Sequence, residues 1–170
     1  MGKKKKLSDP KEMVQYTYRD SGQEYIMKRK MVRAIIIAII FAIALIVFIA
    51  LYIDASNKVQ QTYRRQYKTC LELVLEDLNF YENAEGDFDF KYNKITADMN
   101  SVSSFAFLID NFEEEQKAIN ELYTVFLKYP QQMKTKISDA KQAIEDIIAG
   151  LDKGYDEARD IVDSIYKKGY

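Results

Sequence analysis

The sequence predicts an all-α protein, in which a single transmembrane helix is followed by an extracytoplasmic up-and-down bundle of four or five helices. Three observations lead to this prediction. Residues 34–53 form an apolar run without charge, glycine or proline. Apolar side chains after the run recur at the three- and four-residue spacing of helices. Basic residues are concentrated before the run.

The apolar run has the length and composition of a membrane span. Ala34–Ile53 consists of nine isoleucines, five alanines, two leucines, two phenylalanines, one valine and Tyr52. Its twenty residues rise about 30 Å as a helix, which is the thickness of a bilayer's hydrocarbon core. The h-region of a cleaved signal peptide is shorter, about 7–15 residues, and follows a short charged region. We therefore expect an uncleaved signal-anchor.

The charges on either side of the run predict its orientation. Residues 1–33 carry ten basic and four acidic side chains, whereas residues 54–170 carry fifteen basic and twenty-two acidic ones. The basic residues that adjoin the run are Lys28, Arg29, Lys30 and Arg33. The positive-inside rule then predicts a cytoplasmic basic tail (1–33, with 1–21 flexible), a transmembrane helix (34–53) and an extracytoplasmic helical domain (54–170) in the cell membrane.

Small residues recur every fourth position within the run, at Ala34, Ala38 and Ala42. Small side chains at this spacing let two helices approach closely, so these residues are a candidate packing face for a partner helix or a second copy. Alanines are also ordinary in helices that face lipid, and the absence of glycine from the run favours this interpretation.

The first helix after the run has one continuous apolar stripe, with spacings of three and four residues. The members of the stripe are Val59, Tyr63, Tyr67, Cys70, Val74, Leu78 and Tyr81. The stripe either packs into the core of the domain or binds a partner helix. Cys70 is the single cysteine, and its place in the stripe favours a small core hydrophobe over a disulfide between two copies.

Further helical stripes follow, with interruptions between them. They cover residues 92–109, 119–129, 133–151 and 155–165. Residues 84–90 read as a loop, and the polar–aromatic alternation of residues 87–92 is compatible with a short extended piece. Asn111 with Glu114 resembles a capping box, and Pro130 and the pair Gly150/Gly154 are expected to break or kink the last helices.

Several residues and motifs that are common in catalytic sites are missing from the sequence. It has no histidine, one cysteine and no cluster of glycines. The three acids of Glu113–Glu115 point about 100° apart on a helix, and Asp87 and Asp89 lack the remaining ligands of a calcium loop. We therefore expect no enzyme, no cofactor and no metal site. The acidic charge of residues 54–170 also disfavours nucleic acid as a partner.

These observations predict a class of function and not an activity. We expect a single-pass membrane-anchored structural or interaction subunit, whose helical domain docks with other proteins of a membrane or cell-envelope assembly. Its partners are then the lipid bilayer and other membrane or cell-surface proteins, its own copies included. The alternative is a membrane-anchored binding module that holds a small ligand in an apolar pocket of an aromatic-rich helical bundle.

Overall fold

The computed structural model describes residues 10–166, with side chains for residues 23–166. No strand occurs in this range, so the all-α prediction is confirmed. The first nine residues of the predicted tail lie outside the described range. The helices are α1 (Pro10–Glu82), α2 (Phe88–Ala106), α3 (Glu113–Lys128), α4 (Pro130–Met133), α5 (Ile137–Gly150) and α6 (Tyr155–Ser164).

Helix α1 begins earlier than expected. The flexible tail predicted for residues 1–21 is wrong from Pro10 onward, where the structure has helix. Proline is well suited to a first helical position, because its φ angle already matches and its missing N–H has no partner there. Gly22 lies inside the helix. A long helix tolerates one glycine, because the cost is only about 1 kcal/mol.

The chain divides into two compact units, Met1–Asp54 and Ala55–Tyr170. The second unit, called the helical domain below, has one apolar core to which all six of the described helices contribute. Helix α3 packs against α2 and α6, and α6 also packs against α5. Among the largest fully buried side chains are Tyr67, Leu71, Leu78, Ile95, Met99, Ile119, Leu122, Phe126, Met133, Ile144 and Ile147. Each such side chain contributes about 1.5–3 kcal/mol to folding.

The turns of the helical domain differ from the sequence prediction in two places. The extended piece proposed for residues 87–92 does not form, because α2 begins at Phe88 directly after Asp87 in left-handed backbone. Asn111 does not cap α3, since it also has a positive φ, 53°, and the residue before the helix is Phe112. Asparagine tolerates this conformation, and the resulting turn brings Phe112 into the core.

The helices end at both of the predicted interruptions, Pro130 and the pair Gly150/Gly154, instead of continuing with a kink. Helix α3 ends at Lys128, and Pro130 opens the short helix α4. Proline has no N–H to donate to the carbonyl of Phe126, four residues earlier. The hydroxyl of Tyr92 donates to this oxygen instead, over 2.7 Å. A tyrosine of α2 thereby satisfies the carbonyl that the proline leaves without a backbone donor.

Replacing Tyr92 with phenylalanine is expected to lower the free energy of unfolding by about 1–3 kcal/mol. The ring would still pack beside Phe126, but a buried carbonyl would lose its hydrogen bond. Chemical denaturation of the full chain in mild detergent measures this difference. Tyr166→Phe is the control, because the side chain of Tyr166 is exposed. Equal stability of the two variants would contradict the role given to the Tyr92 hydroxyl.

Candidate membrane anchor and docking surface

The apolar run is an uncovered length of helix. Every residue of Ala34–Ile53 is helical and exposed. Within the described residues, α1 is the one helix that is long and apolar enough to cross a membrane, and the apolar stretch lies near the N-terminus. Exposed apolar surface of this extent is typical of helices that contact lipid or another protein.

The four basic residues before the run are exposed on the same helix. They are Lys28, Arg29, Lys30 and Arg33. The guanidinium of Arg29 lies 5.2 Å from the ring centre of Tyr25, one turn earlier. Arginine, lysine and tyrosine are enriched where a membrane helix meets the headgroups, so this turn has the composition of an interfacial anchor.

The candidate packing face in the run is uncovered as well. Ala34, Ala38 and Ala42 lie along one side of α1 and are exposed. A second helix would meet three small side chains there. The candidate face is therefore part of the exposed surface of α1.

The stripe that follows the run belongs mainly to the core of the helical domain. Tyr67, Cys70, Val74 and Leu78 are buried, and Tyr63 and Tyr81 are partly buried against them. Val59 is the exposed member, with 47% of its surface accessible. Burial raises the pKa of the Cys70 thiol, as expected for a thiol that packs as a small hydrophobe.

Three aromatic residues of the core contact one another. Phe112 lies between Tyr67 and Tyr155, at 5.5 and 5.8 Å between ring centres, with edge-to-face geometry on both sides. The two tyrosine hydroxyls are 3.2 Å apart and share a hydrogen bond. Burial raises the pKa of Tyr155 to about 12. These aromatic residues pack on one another, so this cluster lends no support to the ligand-binding alternative.

A different group of aromatic residues is exposed where α1 turns into α2. We call Phe80, Phe88 and Phe90 the aromatic corner. Their side chains are 58%, 47% and 70% exposed. The amine of Lys91 lies 4.4 Å from the ring centre of Phe80. Exposed aromatic side chains are typical of protein-binding surfaces.

The aromatic corner is attached to a well-fixed part of the domain. Tyr81 contacts Phe88 edge to face, with 5.7 Å between ring centres. An ion pair of 2.7 Å joins Lys134 to Asp89, and it lowers the pKa of the Asp89 carboxyl. Helix α5 adds a second ion pair, from Lys141 to Glu82, at 3.0 Å. The backbone that carries the three phenylalanines is therefore held at several points.

The aromatic corner was not predicted from the sequence, although two of its residues, Phe88 and Phe90, lie in a recognisable pattern. Asp87–Tyr92 alternates polar and aromatic residues, a pattern that is compatible with a short extended piece. In the first turn of a helix the same alternation places Phe88 against Tyr81 and leaves Phe90 at the surface. The alternation marked the exposed aromatic residues, but the secondary structure assigned to it was wrong.

A buried carboxylate lies between α1 and α2. Asp77 is 5% exposed, and its Oδ1 accepts a hydrogen bond from the amine of Lys94. Its Oδ2 is buried and has no hydrogen-bond partner among the described residues. Burial raises the pKa of Asp77; Lys94 opposes the shift and nearby Asp98 adds to it. Hydrogen bonding to Asp77 in turn raises the pKa of Lys94.

Replacing Lys94 with methionine is expected to lower the free energy of unfolding by about 2 kcal/mol at pH 7. The buried carboxylate would lose its positive partner. Because the folded-state pKa of Asp77 is raised, folding favours its protonated form. The stability gained from protonated Asp77 is complete below the pKa of this residue in the unfolded chain, near 3.9. It is lost as the pH rises through the higher pKa of Asp77 in the folded protein. The penalty in Lys94→Met therefore shrinks toward pH 4.

Urea denaturation at pH 7 and near pH 4 measures the penalty. Lys117→Met serves as control, because Lys117 is exposed on α3. We expect the control to have the stability of the original chain at both pH values. A penalty for Lys94→Met that stays the same at both pH values would contradict the account of Asp77.

The chain matches no protein-family model, no curated protein and no solved structure. Within the described residues, no group of three or more Cys, Asp or Glu side chains is placed to hold a metal ion. The functional proposal therefore depends on the exposed apolar run, the basic residues beside it and the aromatic corner.

Proposed function

We propose that the chain is a single-pass membrane subunit whose helical domain docks with other proteins of a membrane or cell-envelope assembly. Ala34–Ile53 is its uncleaved signal-anchor. The N-terminus is cytoplasmic, and the domain stands outside as an up-and-down helical bundle. The observation that carries the proposal is the fully exposed apolar run, joined to a domain that has a separate core.

The energetics support insertion of the run. Its fourteen Ile, Leu, Val and Phe residues each favour a membrane position by roughly 0.3–0.6 kcal/mol. Together they contribute on the order of 4–8 kcal/mol, and no charged residue opposes them. The four basic residues at 28–33 favour a cytoplasmic N-terminus, since only Lys58 lies as close on the other side.

The aromatic corner is the surface that we assign to protein docking. Phenylalanine offers a large contact area at a small cost in side-chain entropy, and aromatic residues often dominate binding energy. Lys91 lies beside Phe80, so an apolar pocket with an acidic rim is the chemistry that would fit. Its residues come from the end of α1 and the start of α2, and Phe88 also contacts Tyr81, which packs against the core.

A photo-crosslinking amino acid at position 90 tests this docking surface in the native membrane. We expect a discrete crosslinked product of higher mass, and we expect Phe80→Ser, which leaves the contact between Phe88 and Tyr81 in place, to reduce its yield. The control places the same crosslinker at position 107, where Phe107 is equally exposed at the other end of α2. A chain that remains uncrosslinked from position 90 and purifies alone as a monomer would contradict the proposal.

A further inference from the structure

A second exposed apolar site follows the end of α2. Phe107 is 72% exposed and Leu108 is 42% exposed. The next apolar residues, Ile109 and Phe112, are buried. The turn is therefore attached to the core immediately behind its two exposed side chains. Single exposed apolar residues are common on proteins, whereas two adjacent ones in one turn form a small apolar site.

Two hydrogen bonds attach this turn to α1 at a single residue. The side-chain amide of Gln60 donates to the carbonyl of Leu108 over 3.4 Å. Its side-chain oxygen accepts from the backbone N–H of Asp110 over 3.0 Å. One glutamine thus satisfies a donor and an acceptor of the turn, and holds Phe107 and Leu108 beside Gln60.

The connection to the apolar run limits how far this turn can lie from the bilayer. Gln60 is seven residues after Ile53. Even a fully extended chain spans at most about 25 Å over seven residues. This limit holds for either orientation of the run in the membrane.

The sequence segment that contains Gln60 is basic, although the turn bound to Gln60 carries one exposed acid, Asp110. Residues 55–71 contain four basic side chains and no acidic one, whereas residues 72–170 contain eleven basic and twenty-one acidic ones. The basic residues are Lys58, Arg64, Arg65 and Lys68. The segment of the domain that is nearest to the run in sequence is therefore positive in an otherwise acidic domain, and is complementary to anionic headgroups.

We propose that Phe107 and Leu108 insert into the headgroup region of the bilayer that holds the anchor. The occupant of this apolar site is the lipid surface, and the inference rests on the membrane anchoring proposed above. The turn would be a second, shallow membrane contact, which limits the rotation of the helical domain about its anchor. Interfacial apolar side chains of this kind lie about 5–10 Å into the headgroup and acyl boundary.

The natural sequence has no tryptophan, so Phe107→Trp introduces a single indole as the fluorescent probe. The full chain is reconstituted into phosphatidylcholine–phosphatidylglycerol vesicles, with and without bromine on the acyl chains. Phe90→Trp is the matched control, since Phe90 is 70% exposed, close to the 72% of Phe107. The two positions are seventeen residues apart along α2 and its C-terminal turn, about 25 Å of helix.

We expect the indole emission of Phe107→Trp to shift to shorter wavelength and to fall by roughly half in brominated vesicles, as for an interfacial side chain. The Phe90→Trp chain should emit as in water and remain unquenched. Equal, water-like emission from both variants would overturn the inference. A shifted but unquenched emission from Phe107→Trp would also overturn it, because protein and not lipid would then cover the site.

Flotation of the vesicles separates this inference from the proposed function. A chain that does not float with the vesicles has no membrane anchor, and both proposals fall. A Phe107→Trp chain that floats while its indole emission remains water-like retains its anchor and lacks the second contact.

Discussion

Replacing Gly154 with alanine is expected to lower the free energy of unfolding of the helical domain by about 2–6 kcal/mol. Gly154 has a φ of 82°, a region that strains any residue with a side chain. A Cβ atom there would also lie 2.7 Å from the carbonyl oxygen of Ala143 and 2.7 Å from the amide nitrogen of Ile147. Both atoms belong to the backbone of α5, so the clash can be relieved only if α5 and α6 separate.

Gly86→Ala is the matched control for this substitution. A Cβ atom at Gly86 would have nothing within 4 Å, and its φ is not among the positive values. Its effect should stay within about 1 kcal/mol, because loss of chain entropy in the unfolded state is the main change. Chemical denaturation of the full chain in mild detergent, followed by the near-ultraviolet signal of the tyrosines, measures both. Similar stabilities for the two variants would contradict the close packing of α5 and α6.

Two arginines in the middle of the apolar run are expected to prevent stable insertion. An arginine at the centre of a span costs about 2.5–3.5 kcal/mol, and each isoleucine lost removes about 0.3–0.6 more. Ile43→Arg with Ile46→Arg therefore costs roughly 6–8 kcal/mol, which cancels most or all of the 4–8 kcal/mol that favours the run. Neither side chain can reach the headgroups from the centre of the span.

Alkaline carbonate extraction of membranes distinguishes integral from peripheral protein and measures this effect. The original chain should remain in the pellet, and most of the double arginine variant should appear in the supernatant. Ile43→Leu with Ile46→Leu is the control, since it keeps both the apolar character and the helix propensity of the run. Equal resistance of the arginine variant and the leucine variant to extraction would contradict the assignment of Ala34–Ile53 as a membrane span.

The sequence predicted the all-α fold because helical periodicity is a local property. The stripe from Tyr67 to Leu78 has the three- and four-residue spacing of one helix face, and that face packs into the core. Pro130 marks the break before α4 because proline cannot donate a hydrogen bond, whatever surrounds it.

Features that depend on distant contacts were not predictable in this way. The turn at Asn111 has a left-handed backbone and brings Phe112 between Tyr67 and Tyr155, residues far from it in the sequence. The exposure of Phe90 depends likewise on which side of α2 packs on the core. An exposed and a buried phenylalanine look alike in a sequence, and the packing of helices distinguishes them.

We propose above that one span separates a cytoplasmic N-terminus from an outer helical domain. The most direct test of this claim uses single cysteines, at Gln23→Cys and at Lys153→Cys, in a Cys70→Ser chain. Both positions are exposed in the structure. Spheroplasts are treated with a membrane-impermeant maleimide before and after permeabilisation. We predict labelling of position 153 in intact spheroplasts and of position 23 only after permeabilisation. The reverse pattern, or protection of both positions until permeabilisation, would contradict the claim.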